Sequence, residues 1–297
     1  MPVHVTALTD PHATATSHRL VWLASDDDGM PLGTAFLRLF TRTGQEQLAD
    51  LQLHVHAQEQ CEETGMLLLE PALSAARKHG RRRVISHVRA DSRSERLLTA
   101  RDFRRVLALT SARLPLPVAD PAALTRFTEE PHPGYRLASW DGMVPDHLAE
   151  TFVASRHAMN DTPTGGVDFS AVPWNHGRVR AAVDAVAKRG DVLHTVVAVH
   201  VADETIAGFT ELAVPGDGKG DARHYGTAVL PSHRGRGLSL WMKAASIRHA
   251  GLRYPRLGGL LTDTADSNPY IRRVNDLLGY RATHTTYEYQ LDLVSGT

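Results

Sequence analysis

The stretch Tyr225–Ser239 reads YGTAVLPSHRGRGLS. It has the pattern of a strand ending on Thr227, Ala228 and Val229, a turn marked by Pro231, a glycine-rich loop, and a helix opening at Leu238 and Ser239. A loop of this kind at a helix start aims several unpaired backbone N–H groups at one point, and the helix dipole adds partial positive charge there. The chemistry this suits is the cradling of a diphosphate by main chain, over Arg234, Gly235, Arg236, Gly237, Leu238 and Ser239, with the two arginines adding charge. Two other phosphate motifs do not fit. No Gly, four residues, Gly-Lys-Ser/Thr string occurs, and Leu240 fills the third glycine place of the dinucleotide fingerprint.

A second stretch, Leu260–Tyr280, reads LLTDTADSNPYIRRVNDLLGY. Ile271, Val274, Leu277 and Leu278 repeat at helical spacing, and Gly279 stands where a helix stops in a left-handed conformation. Together the two stretches resemble the coenzyme A turn (Arg/Gln-x-x-Gly-x-Gly/Ala) and the closing signature of the GNAT (Gcn5-related) N-acetyltransferases. Arg234, Gly237 and Ser239 take the diagnostic places of the turn; Ser239 departs from the usual Gly or Ala but stays small. The resemblance runs from about Tyr135 to the C-terminus. It extends to the two-domain, actinobacterial-type layout shared by mycothiol synthase and some natural-product N-acetyltransferases, through Thr210-Glu211-Leu212 before the turn and Val274-Asn275 near the end.

The resemblance implies an α/β (α+β) tandem fold: a mixed central sheet flanked by helices, present twice, with the N-terminal copy degenerate. Expected elements of the second copy include a helix over 145–160, a helix over 176–189, three strands between 193 and 230, a helix over 238–249, a strand over 257–262, a helix over 268–278, and two closing strands. In the first copy the strands fall near 20–24, 33–41 and 49–55, a short helix is expected at 10–17, and a helix follows at 66–79. Its turn, however, carries Glu59, Glu62 and Glu63 where Arg and Gly should be. Each carboxylate facing a diphosphate would repel it by ~1 kcal/mol or more at intermediate dielectric. The expected division is a degenerate, structural or acceptor-lining domain at 1–128 and a coenzyme-binding catalytic domain at 129–297, joined by a Pro-rich linker at Leu114–Pro121.

What the resemblance implies for chemistry is the attack of a small-molecule amine on the thioester of acetyl-CoA. The main-chain N–H of Val229 is then the oxyanion donor, and Asn268 offers a donor and an acceptor to the pantetheine amides. The amine must arrive neutral. Glu211, in a partly dry cleft, is the first candidate base, and His224 is the second; a water chain is the other route. The proton donor to the leaving thiolate is often a Tyr seven residues after the pantetheine Asn. Here that place holds Asn275, grouped with the coenzyme contacts, and Tyr270 is the nearby alternative. Acceptor contacts are expected from Arg156, Asn160 and Asp161 at the end of the first helix, and from Trp174. Two readings of other classes remain: an acyl-CoA-binding sensor or scaffold without catalysis, and a protein acetyltransferase.

Composition bounds these readings. The formal net charge is zero, so no global basic field favours nucleic acid. Arginine far outnumbers lysine, 29 to 4 within a total of 33. A single cysteine, Cys61, excludes an internal disulfide or a thiolate metal cluster. His54 and His56 alternate along one strand, yet in a chain with 17 histidines such pairs arise by chance, and no metal is expected. Without a membrane-length apolar run or a secretory signal, the expectation is a cytoplasmic monomer or homodimer.

Overall fold

The computed structural model describes residues 2–9, 17–41, 44–56, 61–161 and 173–293, with Cys61, Asn160 and Asp161 described in backbone only. Residues 10–16 of the expected short helix, Glu59, and the part of the acceptor loop beyond Asp161 lie outside the described residues. Twelve strands and seven α-helices are described, and the chain gathers into two compact units.

Unit one comprises Met1–Leu109 and His284–Thr297. Its strands are β1 (His4–Leu8), β2 (Ser17–Ser25), β3 (Pro31–Phe40), β4 (Leu48–Val55) and β5 (Arg83–Arg89). Its helices are α1 (Cys61–Lys78) and α2 (Arg93–Thr99). β1 to β4 form an antiparallel meander, and β4 pairs with β5 in parallel from Leu48 to Leu51 only. The apolar residues at alternating positions of β3 (Ala35, Leu37, Leu39) are buried with Leu68, Leu69, Ala72 and Ala76 of α1, so periods of 2 and 3.6 meet in one core. Phe103 is buried in that core, and Asp102 before it takes φ 60°, in the left-handed region.

Unit two comprises Thr110–Pro163 and Ala171–Thr283. Within it lie α3 (Pro121–Glu129), β7 (Tyr135–Asp141), α4 (Asp146–Ser155), α5 (His176–Ala187), β8 (Asp191–His200), β9 (Thr205–Pro215) and β10 (Gly220–Val229). α6 (Leu238–Arg253), β11 (Leu257–Ala265) and α7 (Pro269–Leu277) complete it. The sheet runs β7-β8-β9-β10-β11, antiparallel except for the β10–β11 pair. α4 and α5 cover one face through Phe152 and Val179 against Val197 and Phe209. α6 covers the other through Ala244 and Ile247 against Leu212 and Val214.

Two strands divide between the units. β6 (Arg104–Pro115) gives residues 110–115 to unit two, beside β11, and β12 (Arg281–Asp292) gives residues 286–292 to unit one, antiparallel to β5. The units therefore do not divide at residue 128. The expected linker is also corrected. Leu114 and Pro115 end β6, a 3-10 turn occupies Leu116–Val118, and Asp120 caps α3 by accepting from the N–H groups of Ala122 and Ala123. Pro115, Pro117 and Pro121 stand at a strand end and at helix starts, where a missing N–H costs nothing.

In unit one His87 lies between two carboxylates. Its Nδ1 is 3.8 Å from Asp50 Oδ1 and its Nε2 is 3.0 Å from Glu288 Oε2. Asp50 and Glu288 raise its pKa to about 9 from an ordinary 6.5. A raised basic group stabilises fully below the unfolded value and loses that contribution as pH rises through the folded one. The urea midpoint of the wild type minus that of a His87→Gln variant should therefore shrink between about pH 6.5 and about pH 9. A difference constant over that window would show that His87 is not charged in the folded state.

Candidate functional site

The glycine-rich turn has the geometry its residue types require. Gly235 and Gly237 take φ of 76° and 74°, in the left-handed region. A Cβ on Gly235 would meet nothing within 4 Å, whereas one on Gly237 would lie 3.2 Å from His132 Nε2. α6 starts on Gly237 with no side-chain cap, so its first N–H groups keep no side-chain partner from that residue. Arg234 folds back and donates Nε–H to the Val229 carbonyl at 3.0 Å, stapling the loop to the end of β10. Arg236 lies over the Tyr135 ring, 5.9 Å from its centroid. Beside the turn is a groove of about 490 Å³ lined by His132, Tyr135, Arg236 and Trp241, in which His132 stacks on Trp241 at 4.2 Å.

The strand leading to this turn parts from its neighbour. β10 and β11 pair in parallel from Gly220 to Arg223 against Leu257 to Leu261, and the pairing stops there. From His224 to Val229, the strand paired with β10 among the described residues is β9; six residues at ~3.3 Å each leave ~20 Å of the other edge without a paired strand. The register of β10 against β9 shifts between His224 and Gly226, a bulge that places Tyr225 outside the ladder and bends the strand. The closed end of this fork is pinned by Arg113, which donates from Nε and Nη2 to the two carboxylate oxygens of Asp221 at 2.9 and 2.8 Å. That pair holds the Asp221 carboxyl below its usual pKa. Gly259 makes room for it, since a Cβ there would lie 2.9 Å from Arg113 Cζ.

The two candidate bases lie on opposite faces of the sheet. His224 is opposite Leu212, which packs on α6; Glu211 shares its face with Phe209, which packs on α4. Glu211 is not a free carboxylate. It is 3% exposed, and its two oxygens accept from Arg156 Nη1 and Nη2 at 2.8 and 2.5 Å. Burial raises its pKa and Arg156 opposes the rise. Arg156, itself 5% exposed, lies 5.0, 4.5 and 4.8 Å from the ring centroids of Phe152, Trp174 and Phe209. An acceptor residue and a base expected separately are thus one buried ion pair, with Trp174 stacked on it. Asn160 and Asp161 follow in the same 3-10 segment, Arg156–Asp161, with side chains outside the description.

His224 is buried, and its Nε2 is 2.8 Å from the Tyr280 hydroxyl. Burial, then the nearby Lys243, pushes its pKa well below the ordinary value, so it is a neutral imidazole. Asn275 is buried too: its Oδ1 accepts from Lys243 Nζ at 2.7 Å, and its Nδ2 donates to Thr264 Oγ1 at 2.9 Å. Asn268 caps α7, accepting from the Ile271 N–H at 3.2 Å. Gly279 ends α7 at φ 87°, as its position predicts. Tyr270, offered as the nearby alternative on the same helix, is 82% exposed on the open side of α7 and touches none of this cluster among the described contacts. Thr227 and Thr210 join hydroxyls across β10 and β9 at 2.7 Å, and Ala228 is buried against the α4 face.

Lys243 and Thr264 are cluster members without a role in the sequence reading, and Tyr280 entered it only as the end of the second motif. Lys243 could have been found: it falls three residues after Leu240 and four before Ile247, on the apolar stripe of α6. His54 and His56 are both exposed. Among the described residues the grouping of three ligating side chains is instead Asp141, His194 and His249. There the two imidazoles stack in parallel at 3.9 Å and His194 Nδ1 is 2.7 Å from Asp141 Oδ1. In-plane lone pairs of parallel rings run side by side and do not converge on one ion.

No protein-family profile and no curated protein matches the chain. Solved structures do. A tandem GNAT protein from the clavulanic acid biosynthesis pathway superposes with a TM-score of 0.73 at 22% identity, covering 96% of this chain and 85% of that one. A GCN5-related N-acetyltransferase from Sphaerobacter thermophilus gives 0.69 at 16% identity, covering 92% and 80%. One from Kribbella flavida gives 0.55 at 13% identity, covering 87% of each. The fold of the chain is the tandem GNAT fold.

Breaking the Arg156–Glu211 pair from one side leaves a buried charge alone. Glu211→Leu should cost ~3–5 kcal/mol in urea unfolding, and adding Arg156→Met should return most of it. A loss below ~1 kcal/mol, the range of exposed pairs, would mean that water reaches the pair.

Proposed function

We propose that unit two transfers the acetyl group of acetyl-CoA to the amine of a small molecule. The fork between β10 and β11, opening toward the glycine turn, is the observation that carries this reading. An extended arm with amide groups fits an unpaired strand edge as an added strand would. A diphosphate fits the uncapped start of α6, where Gly235 and Gly237 let backbone approach closely. When bound, acetyl-CoA supplies an activated acyl group.

The chain's part is to hold, orient and balance charge. The N–H groups between Gly235 and Ser239 grip the diphosphate, with Arg236 adding charge. Arg234 fixes the loop through the Val229 carbonyl. The free edge of β10 and Asn268 align the arm, and the Val229 N–H faces the oxyanion. The acceptor amine lies on the α4 face, beside Gly226, whose β9 partner is Glu211. There the Arg156–Glu211 pair and Trp174 shape its pocket. Because Glu211 is engaged by Arg156 and His224 by Tyr280, we assign the amine's proton to water.

Unit one keeps a comparable short parallel pairing, between β4 and β5, but α1 opens with Glu62 and Glu63 where a diphosphate would sit. We assign it no coenzyme. The engaged state of Glu211 and the burial of Asn275 favour a second reading, an acyl-CoA-binding sensor. Tight acetyl-CoA binding without thiol release across a panel of amines would select it.

Calorimetry with acetyl-CoA should give one site per chain. Gly235→Asp adds a carboxylate to the turn without a clash, in a conformation Asp tolerates, and should weaken binding at least ~30-fold, about the 2 kcal/mol of a partly buried charge at a helix end. Unchanged affinity would remove the diphosphate from this turn, and two sites per chain would overturn the reading of unit one.

A further inference from the structure

Lys243 is one of four lysines in the chain, and it is 0% exposed. Its Nζ has three protons to place. One goes to Asn275 Oδ1 at 2.7 Å, and the Tyr280 ring centroid lies 4.9 Å away. Among the described residues no carboxylate forms an ion pair with it. An ammonium buried on a neutral amide and a ring face carries a desolvation penalty that nothing nearby offsets. Burial accordingly lowers its pKa to about 7. An arginine, which the chain uses almost everywhere else, would not release its proton under such conditions.

The position of this cation is specific. Its partner Asn275 is tied to Thr264, on β11 beyond the last residue paired with β10. The ring it faces belongs to Tyr280, which is bonded to His224, the first residue of β10 beyond the paired stretch. Lys243 thus sits where the two strands part, between groups reaching in from each. The titratable groups facing it are His224 and Tyr280. Burial disfavours the charged form of both, lowering the histidine's pKa and raising the tyrosine's. Asn275 of α7 and Thr264 of β11 are neutral, and the Arg156–Glu211 pair lies on the other face. The cluster can therefore carry one net charge, and that charge is positive.

We propose that Lys243, in its protonated form, is the counter-charge for a thiolate at the base of the fork, with Asn275 as its positioning residue. The inference rests on the acetyl-CoA reading and deepens it. In the transfer, the amine nitrogen bonds to the acetyl carbon and the carbon–sulfur bond breaks with its electron pair on sulfur. The amine's proton leaves to water, and the ammonium of Lys243 balances the charge left on sulfur. The thiolate later takes a proton from water. Asn275, which stands where the resemblance places a tyrosine acid, has no proton to give; a positive charge on Lys243 lowers the need for one, because it stabilises the leaving group as an anion.

The test uses free coenzyme A, which carries the thiol and no acyl group. With the apoprotein's own titration subtracted, the ultraviolet absorbance of the thiolate is followed against pH in the complex. In the wild type the bound thiol should titrate at least tenfold more readily than free coenzyme A, a shift of one pH unit or more below the range of an ordinary thiol at about 8.5. Lys243→Met, which keeps the stem volume and loses the charge, should return the thiol to its value in solution, while acetyl-CoA affinity stays within threefold. Asn275→Asp, which sets a carboxylate beside the ammonium, should do the same and serves if the Met variant does not fold. A bound thiol that titrates in the wild type as it does in solution overturns the proposal whatever the variants do, and so does a lowered value that survives Lys243→Met. If the wild type takes up no coenzyme A, the coenzyme reading itself fails and this inference falls with it.

Discussion

A parallel strand pair that stops after Arg223 is the constraint on which unit two depends. Backbone N–H and C=O groups in a sheet are obligatory partners, so an edge left open in the middle of a sheet must be met by water or by something extended. Several devices keep it open. The bulge at Tyr225 turns β10 aside. Residues 110–115 of β6 occupy the other edge of β11, and Arg113 ties that segment to Asp221 in the paired stretch. Asn268 and Gly279 fix the two ends of α7. The turn that follows β10 then places main-chain donors at the mouth of the same opening.

Charge is distributed around this opening in an uneven way. On the α4 face a buried arginine and a buried glutamate neutralise each other beside three aromatic rings. On the α6 face a lysine is buried without an acidic partner among the described residues. A low local dielectric strengthens both situations, rewarding the completed pair and penalising the lone cation. A protein that keeps a lone buried cation spends stability on it, and such sites cluster where charge appears during function.

Much of this was legible in the sequence, and the reasons are local. Gly279 was expected in the left-handed conformation that ends a helix, and it is there; Gly235 and Gly237 of the glycine-rich loop take the same region, which glycine enters most readily. The order of α4, α5, β8 to β11, α6 and α7 is the one the resemblance implied. What was not legible depends on partners distant in the chain. Nothing near Glu211 announces that Arg156, 55 residues earlier, will occupy both its oxygens. Tyr270 and Asn275 lie on one helix, and only packing decides that the first faces solvent and the second the cluster. β6 escaped notice because its arginines interrupt the strand pattern, and its last two residues, Leu114 and Pro115, were read as the start of a linker.

That segment and the last strand bear on how the chain comes to be folded. Unit one lacks the strand beside β5 until residues 286–292 have been made, whereas its other five strands are complete by residue 89. During synthesis the edge of β5 must wait, unpaired, while nearly 200 further residues leave the ribosome. An exposed parallel-sheet edge is a template for stray pairing with other chains. The first unit to begin is therefore the last to close, and chaperone dependence or aggregation during expression should be sought there, in the nascent N-terminal half.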